Sequence, residues 1–191
     1  MSKNCVIVAG PNGSGKTTFA KAYLETYAYE YVNADDIAFH LNPEQPEKVR
    51  IQAGRMFFKK LSAQIEQEKE ILIETTLSGQ GFQRIIKHLK QTGYTITIIF
   101  IFLENPDVCI ARVEQRVRNG GHDVPQPDII RRFHRSKENF WQIYKDEADF
   151  WYLVYNSGDY FQEVAIGEGN SYLINNEELF NLFLKEEISY E

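Results

Sequence analysis

Residues 10–17 read Gly-Pro-Asn-Gly-Ser-Gly-Lys-Thr, a complete phosphate-loop pattern: two glycines separated by four residues, then Lys and a hydroxyl residue. Each residue type has a chemical reason. The glycines let successive backbone N–H groups turn inward around phosphate oxygens. The start of the following helix adds partial positive charge. Lys16 is placed to reach the β- and γ-phosphates, and the Thr17 hydroxyl to bind Mg²⁺. Gly10, Pro11, Asn12, Gly13, Ser14, Gly15, Lys16, Thr17 and Thr18 are therefore the candidate nucleotide-contacting residues. The chain has no N-K-x-D guanine reader, so ATP is the expected nucleotide.

Three further groups could act on that nucleotide. Asp35 and Asp36 follow an apolar run, where a carboxylate could take the proton of an attacking hydroxyl; the alternative is that Asp35 caps a helix starting near Ile37. Glu74 and Thr75 follow another apolar run, and the expected Walker B aspartate is missing there. Glu74 is the candidate substitute, touching Mg²⁺ or holding substrate, with capping of the Thr75–Ser78 turn as the plain alternative. Arg112 and Arg116 share one helix face, and Arg131 and Arg135 repeat that spacing beside Arg132. Guanidiniums fork onto phosphate oxygens and could stabilise charge at the γ-phosphate; surface ion pairs with Glu114, Asp128 and Glu138 are the alternative. His122, between the two arginine helices, reads as a solvent-facing loop residue, with a phosphate contact as the sharper option.

The elements that must position these groups follow from hydrophobic periodicity. Strands are expected at 5–9, 30–34, 71–73, 95–103 and 151–155, and helices at 16–26, 82–91, 106–118 and 128–146. A long helical pattern runs over 43–69, a small hairpin over 160–174, and a closing helix over about 176–188. Alternation of strand and helix predicts an α/β P-loop NTPase, a doubly wound, mostly parallel five-stranded sheet. Gly120, Gly121 and Pro125 between two arginine-bearing helices predict a helical lid over about 112–137. The whole of 1–191 is expected to be one domain of this kind. Phe133, Phe140, Trp141, Tyr144, Phe150, Trp151 and Tyr152 read as core rather than base-stacking residues.

Composition narrows the classes. With 43% hydrophobic and 25% charged residues over 191 positions, the chain is an ordinary globular one. No apolar run reaches the roughly 18 residues of a membrane span. Entry straight into a strand and two cysteines, Cys5 and Cys109, point to no leader and a reducing cytoplasm. Net charge is −6, which argues against general nucleic-acid binding, yet residues 112–137 hold seven basic against three acidic side chains. The positive charge is thus local, as an anion site would need.

The ordered set of motifs resembles the zeta toxin family of P-loop kinases, in its short stand-alone branch often labelled a predicted ABC-type ATPase. The matching residues are 10–18, Val32-Asn33-Ala34-Asp35, 74–79, 112–117, 120–125, Arg131-Arg132 and Asn156-Ser157-Gly158, spanning 4 to about 160. No ABC signature motif is present; Leu77-Ser78-Gly79-Gln80 is a partial echo. The resemblance implies an ATP- and Mg²⁺-dependent kinase whose acceptor is a hydroxyl of UDP-N-acetylglucosamine, and an antitoxin protein as partner. It makes Asp35 the general base, Lys16 the phosphate lysine, Glu74 part of the substrate and metal site, and Arg112 a phosphate ligand, with Asn156 near the nucleotide. A second lid arginine of that family falls near His122 here, leaving Arg116, Arg131 or Arg132 to supply the charge. Two rival readings remain: an ATP-dependent switch acting through a partner protein, and a nucleic-acid-end kinase.

Overall fold

The computed structural model describes residues 3–185. Strands form where β-branched and aromatic residues run together: β1 Lys3–Ala9, β2 Glu30–Asn33, β3 Ile71–Thr75, β4 Tyr94–Phe102 and β5 Phe150–Asn156. They lie parallel in the order β2-β3-β1-β4-β5. The central strands are apolar without alternation because helices cover both sheet faces. The hairpin of β6 Phe161–Glu168 and β7 Ser171–Ile174 then continues the sheet antiparallel from β5, giving seven strands rather than five. Periodicity revealed the hairpin and not its docking. The docking follows from tertiary packing: Val164 and Ala165 are fully buried, and the edge of β5 is paired instead of left open.

The helices are α1 Lys16–Thr26, α2 Ala34–Leu41, α3 Arg50–Glu66, α4 Gln83–Gln91, α5 Pro106–Arg118, α6 Gln126–Asn139, the single turn α7 Lys145–Glu147, and α8 Glu177–Lys185. The expected helical stretch over 43–69 is interrupted. Pro46 starts a 3₁₀ turn, Pro46–Val49, because the residue before a proline is pushed out of the helical region; Gln45 has φ −143°. A π turn over Phe140–Tyr144 prolongs α6 toward α7, as the pattern to 146 anticipated. The part of the predicted last helix beyond Lys185 lies outside the described residues.

One face of the sheet is packed by α3, α4, the π turn and α8, through Phe57, Leu61, Ile86, Leu89, Phe140 and Phe183. The other is packed by α1, through Ala20, Phe19 and Tyr23. The arginine helices α5 and α6 have a small core of their own: Cys109, Val113, Val124, Ile129 and Phe133. Of the aromatics assigned to the core, Phe150 and Tyr152 are instead 43% and 37% exposed, on the solvent side of the alternating strand β5. Cys5 and Cys109 are both buried.

Candidate active site

The phosphate loop joins β1 to α1 as the sequence demands. Gly10 has φ +140°, and a Cβ there would run into the carbonyl oxygen of Ile101 on β4. Gly13 has φ +80°, and its Cβ would lie 2.7 Å from the Cys109 carbonyl oxygen on α5. Only glycine allows the loop to sit this close to two neighbouring backbones. Asn156, at the end of β5, braces the loop from behind: its amide donates to the Ser14 carbonyl at 2.9 Å while its own oxygen accepts from Gly158 N–H. Asn156 thus contacts the loop and is absent from the cavity wall in front of it.

Lys16 is buried and donates to the Pro11 carbonyl at 2.7 Å. Burial lowers its pKa below the usual lysine value, with Glu74 and Asp35 acting in the opposite direction. A bound polyphosphate would supply the anion this desolvated ammonium lacks. Ser14 Oγ and Arg116 Nε are also buried, with no hydrogen-bond partner among the described residues. Burial also lowers the Arg116 pKa. These observations fit a triphosphate in the loop.

Asp35 does not cap a helix from Ile37, the plain alternative to its reading as a base. The helix α2 begins at Ala34, and its cap is Asn33, whose side-chain oxygen accepts from the N–H groups of Asp35 (2.8 Å) and Asp36 (3.3 Å). Asp35 therefore stands in the first turn with its backbone pinned, and no hydrogen bond or ion pair engages its carboxylate among the described residues. Asp36 points to a surface pair with His40 at 3.6 Å.

Glu74 does not cap the turn that follows it. That turn is held by Thr75 Oγ1, which accepts from Leu77 N–H at 3.3 Å, and by Asn139, which donates to the Leu77 carbonyl at 2.9 Å. Leu77 is buried at φ +52°, a strained setting for a branched side chain. Glu74 is 8% exposed and accepts from Thr17 Oγ1 at 2.8 Å and from the Tyr31 hydroxyl at 2.5 Å. A hydroxyl and a carboxylate oxygen 2.8 Å apart match one edge of a Mg²⁺ octahedron, about 2.9 Å from its bond lengths. No group of three or more His, Cys, Asp or Glu that could hold a metal occurs among the described residues.

The arginines divide into two sets. Arg112 donates to the Asn156 carbonyl at 3.2 Å and Arg116 to the His122 carbonyl at 3.0 Å. Both line a cavity of about 470 Å³ in front of the loop, together with Lys16, Thr17, Asp35 and Glu74. His122 belongs to the same wall, half-buried and 5.9 Å from the Phe39 ring, not out in solvent; burial and then Arg116 lower its pKa. Arg131 and Arg132 instead line a second cavity of about 270 Å³ with Thr75, and Arg135 joins them. Arg131 keeps the predicted pair with Asp128, at 2.7 Å, and Arg132 reaches Asn12 of the loop at 3.3 Å. The two cavities share Asn33, Asp35 and Glu74.

Tyr31 and Asn33 join the site with no role read from the sequence, while Arg135 belongs to the arginine set that the spacing singled out. The signal for the first two was the alternation of β2, which puts Tyr31 and Asn33 on one face of the strand that ends at Asp35. The hydrogen bond from Asn33 to the Tyr31 hydroxyl, at 2.9 Å, links the helix cap to Glu74.

Comparison with known proteins places this geometry. The AAA domain family matches residues 5–138, and the chain belongs to it. Among individual relatives, the chain is 25% identical over 178 residues to a cytidylate kinase of Archaeoglobus fulgidus, covering 84% of this chain and 89% of that one. A crystal structure of AvrRxo1-ORF1:-ORF2 with ATP superposes with a TM-score of 0.78 at 17% identity, over 100% of this chain and 66% of that chain. A structure of the PezAT chromosomal toxin–antitoxin system of Streptococcus pneumoniae superposes with a TM-score of 0.69 at 16% identity, over 96% of this chain and 79% of that one. The fold is thus that of P-loop kinases. No helix among the described residues is long and apolar enough to cross a membrane.

Proposed function

We propose that the chain is an ATP-dependent kinase that phosphorylates a hydroxyl of a small molecule, with Asp35 as the base. One observation carries this reading: Asp35, its carboxylate unengaged, stands where the loop cavity meets a second, polar cavity. A switch needs a nucleotide site alone; a kinase needs a donor site and an acceptor site sharing a carboxylate.

The roles follow from position. The loop N–H groups and Lys16 bind the triphosphate. Thr17 and Glu74 would hold Mg²⁺, which would supply positive charge against the phosphates. Asp35 accepts the acceptor's hydroxyl proton as that oxygen bonds to the γ-phosphorus, the bond to the β-phosphate oxygen breaks, and ADP leaves. Arg112 and Arg116 face the same cavity and stabilise the charge that spreads over the transferring group. Arg132, tied to the loop residue Asn12, and Arg131 face the acceptor side. In this reading 1–191 is one kinase domain, with 112–137 closing over bound ATP in the cytoplasm. The zeta-like motifs make UDP-N-acetylglucosamine the first acceptor to try. The toxin–antitoxin systems among the structural neighbours make an antitoxin-like protein the first partner to seek.

The test is a reaction with ATP, Mg²⁺ and a metabolite extract spiked with UDP-N-acetylglucosamine, run beside Asp35→Asn. Mass spectrometry should find a species that gains one phosphoryl group with the wild type only. ATP binding without any phosphorylated product would favour the switch.

A further inference from the structure

Resting on that kinase reading, we infer that the acceptor is itself an anion, carrying a phosphate or carboxylate group, and that Arg131, Arg132 and Arg135 of α6 bind it. The acceptor-side cavity is built from two chemically opposite walls. Its carboxylates, Asp35 and Glu74, come from the first turn of α2 and the end of β3, and its three guanidiniums come from α6. Arg135 neighbours Arg131 at i−4 and Arg132 at i−3, and such like-charge pairs cost stability unless something of opposite sign lies near.

The protein supplies little of that opposite charge. Arg131 has Asp128, shared at 3.9 Å with Arg50. Arg132 meets a neutral amide, Asn12. Arg135 makes no hydrogen bond or ion pair among the described residues. Asp35 and Glu74 lie across the cavity, but neither makes an ion pair with Arg131, Arg132 or Arg135 among the described residues, and Glu74 instead accepts from Thr17 and Tyr31. A forked, planar donor set of this kind matches two oxygens of a phosphate or carboxylate.

The transferred phosphoryl group does not account for the set. Lys16, Arg112 and Arg116 already face the triphosphate, in the other cavity, and neither Arg131 nor Arg135 lines that cavity. At about 270 Å³ the acceptor cavity falls just below the usual range of ligand sites, roughly 300–1,000 Å³. A charged group on α6 therefore lies within one small molecule's length of Asp35, and binding that group would turn the hydroxyl toward the base.

The test uses matched acceptors that differ in charge: N-acetylglucosamine against its 1-phosphate, glycerate against glyceramide, and UDP-N-acetylglucosamine. The wild type should phosphorylate the anionic member of a pair with at least tenfold higher kcat/KM. Arg135→Gln and the double variant Arg131→Gln/Arg135→Gln should raise KM for the anionic member tenfold or more and move the neutral member under threefold. Arg135→Lys should fall between them. The phosphate and carboxylate pairs show which anion is taken.

A second arm needs no turnover. With the loop filled by a non-hydrolysable ATP analogue and Mg²⁺, inorganic phosphate is titrated calorimetrically into each protein, after thermal melts show them folded. The wild type should bind it at least tenfold tighter than the double variant. If that holds while no acceptor is phosphorylated, the anion site stands and the kinase reading falls. Equal phosphate binding by wild type and double variant, equal use of neutral and anionic acceptors, or preference for an oligonucleotide end over every small acceptor would overturn the proposal.

Discussion

The two walls of the site are made differently. The phosphate loop is a backbone device: its donors are peptide N–H groups, and its shape depends on glycines jammed against Ile101 and Cys109. The α6 wall is a side-chain device. Its guanidiniums project from a helix with a separate small core, and Arg131 and Arg135 are exposed. A backbone device has one geometry and tolerates little change; a side-chain device can retarget its ligand by substitution while the fold stays. Nucleotide binding should therefore be all-or-none under mutation, and acceptor choice should be graded.

Gly13→Ala should show the sharpest effect. A Cβ at φ +80° and 2.7 Å from the Cys109 carbonyl must push the loop away from α5. ATP affinity measured by calorimetry should fall about a hundredfold or more, roughly 3 kcal/mol, with the far-ultraviolet dichroism preserved. Retained affinity would mean the loop yields as easily as a side chain.

Glu74→Gln tests the edge the two walls share. It keeps the shape, and removes the charge that Thr17 and Tyr31 now face. The Mg²⁺ concentration for half-maximal activity should rise about tenfold, in keeping with a lost hard-oxygen ligand. An unchanged Mg²⁺ titration would leave Glu74 a purely structural acceptor.

Asn33→Ala removes the α2 cap and the link to Tyr31. Denaturant titration should report a loss of about 1 kcal/mol. The turnover rate should drop further than the ATP affinity does, because the first turn of α2 carries Asp35.

His122→Gln should have the smallest effect. Burial and Arg116 hold the folded-state pKa of His122 below its ordinary value near 6.5. The unfolded chain then binds a proton that the folded one resists, so this residue's contribution weakens stability as pH falls below about 6.5. Melting curves from pH 7 to 5 should decline slightly less steeply for the variant than for the wild type. A steeper decline would place a protonated His122 in the folded state.

The loop was legible because its function is written in residue types at fixed spacing, and α1 and α5 were placed to the residue for similar reasons: Lys16 follows the glycine turn, and Pro106 sits first after the cap Asn105. The α6 wall was legible as a cluster of charge, and its division was not. Nothing in the spacing of Arg112, Arg116, Arg131 and Arg132 tells which pair faces the loop cavity, because the turn at 119–125 sets how α5 and α6 pack. The cap falls on Asn33 and not on Asp35 for a local reason: both side chains can accept helix N–H groups, and β2 ends one residue earlier than its apolar pattern suggested, which starts α2 at Ala34. The sheet was undercounted because the hairpin was legible and its antiparallel docking onto β5 was not: that pairing is a tertiary contact which hydrophobic periodicity does not encode.

The central claim is that Asp35 serves both cavities, as base for the acceptor and not as ligand for the nucleotide. Its most direct test measures, on one preparation, ATP affinity and acceptor-dependent ADP release for the wild type and Asp35→Asn. The account predicts affinity within threefold and a release rate lower by about 10²–10⁴, the usual contribution of a general base. A variant that releases ADP in step with acceptor at the wild-type rate would contradict it.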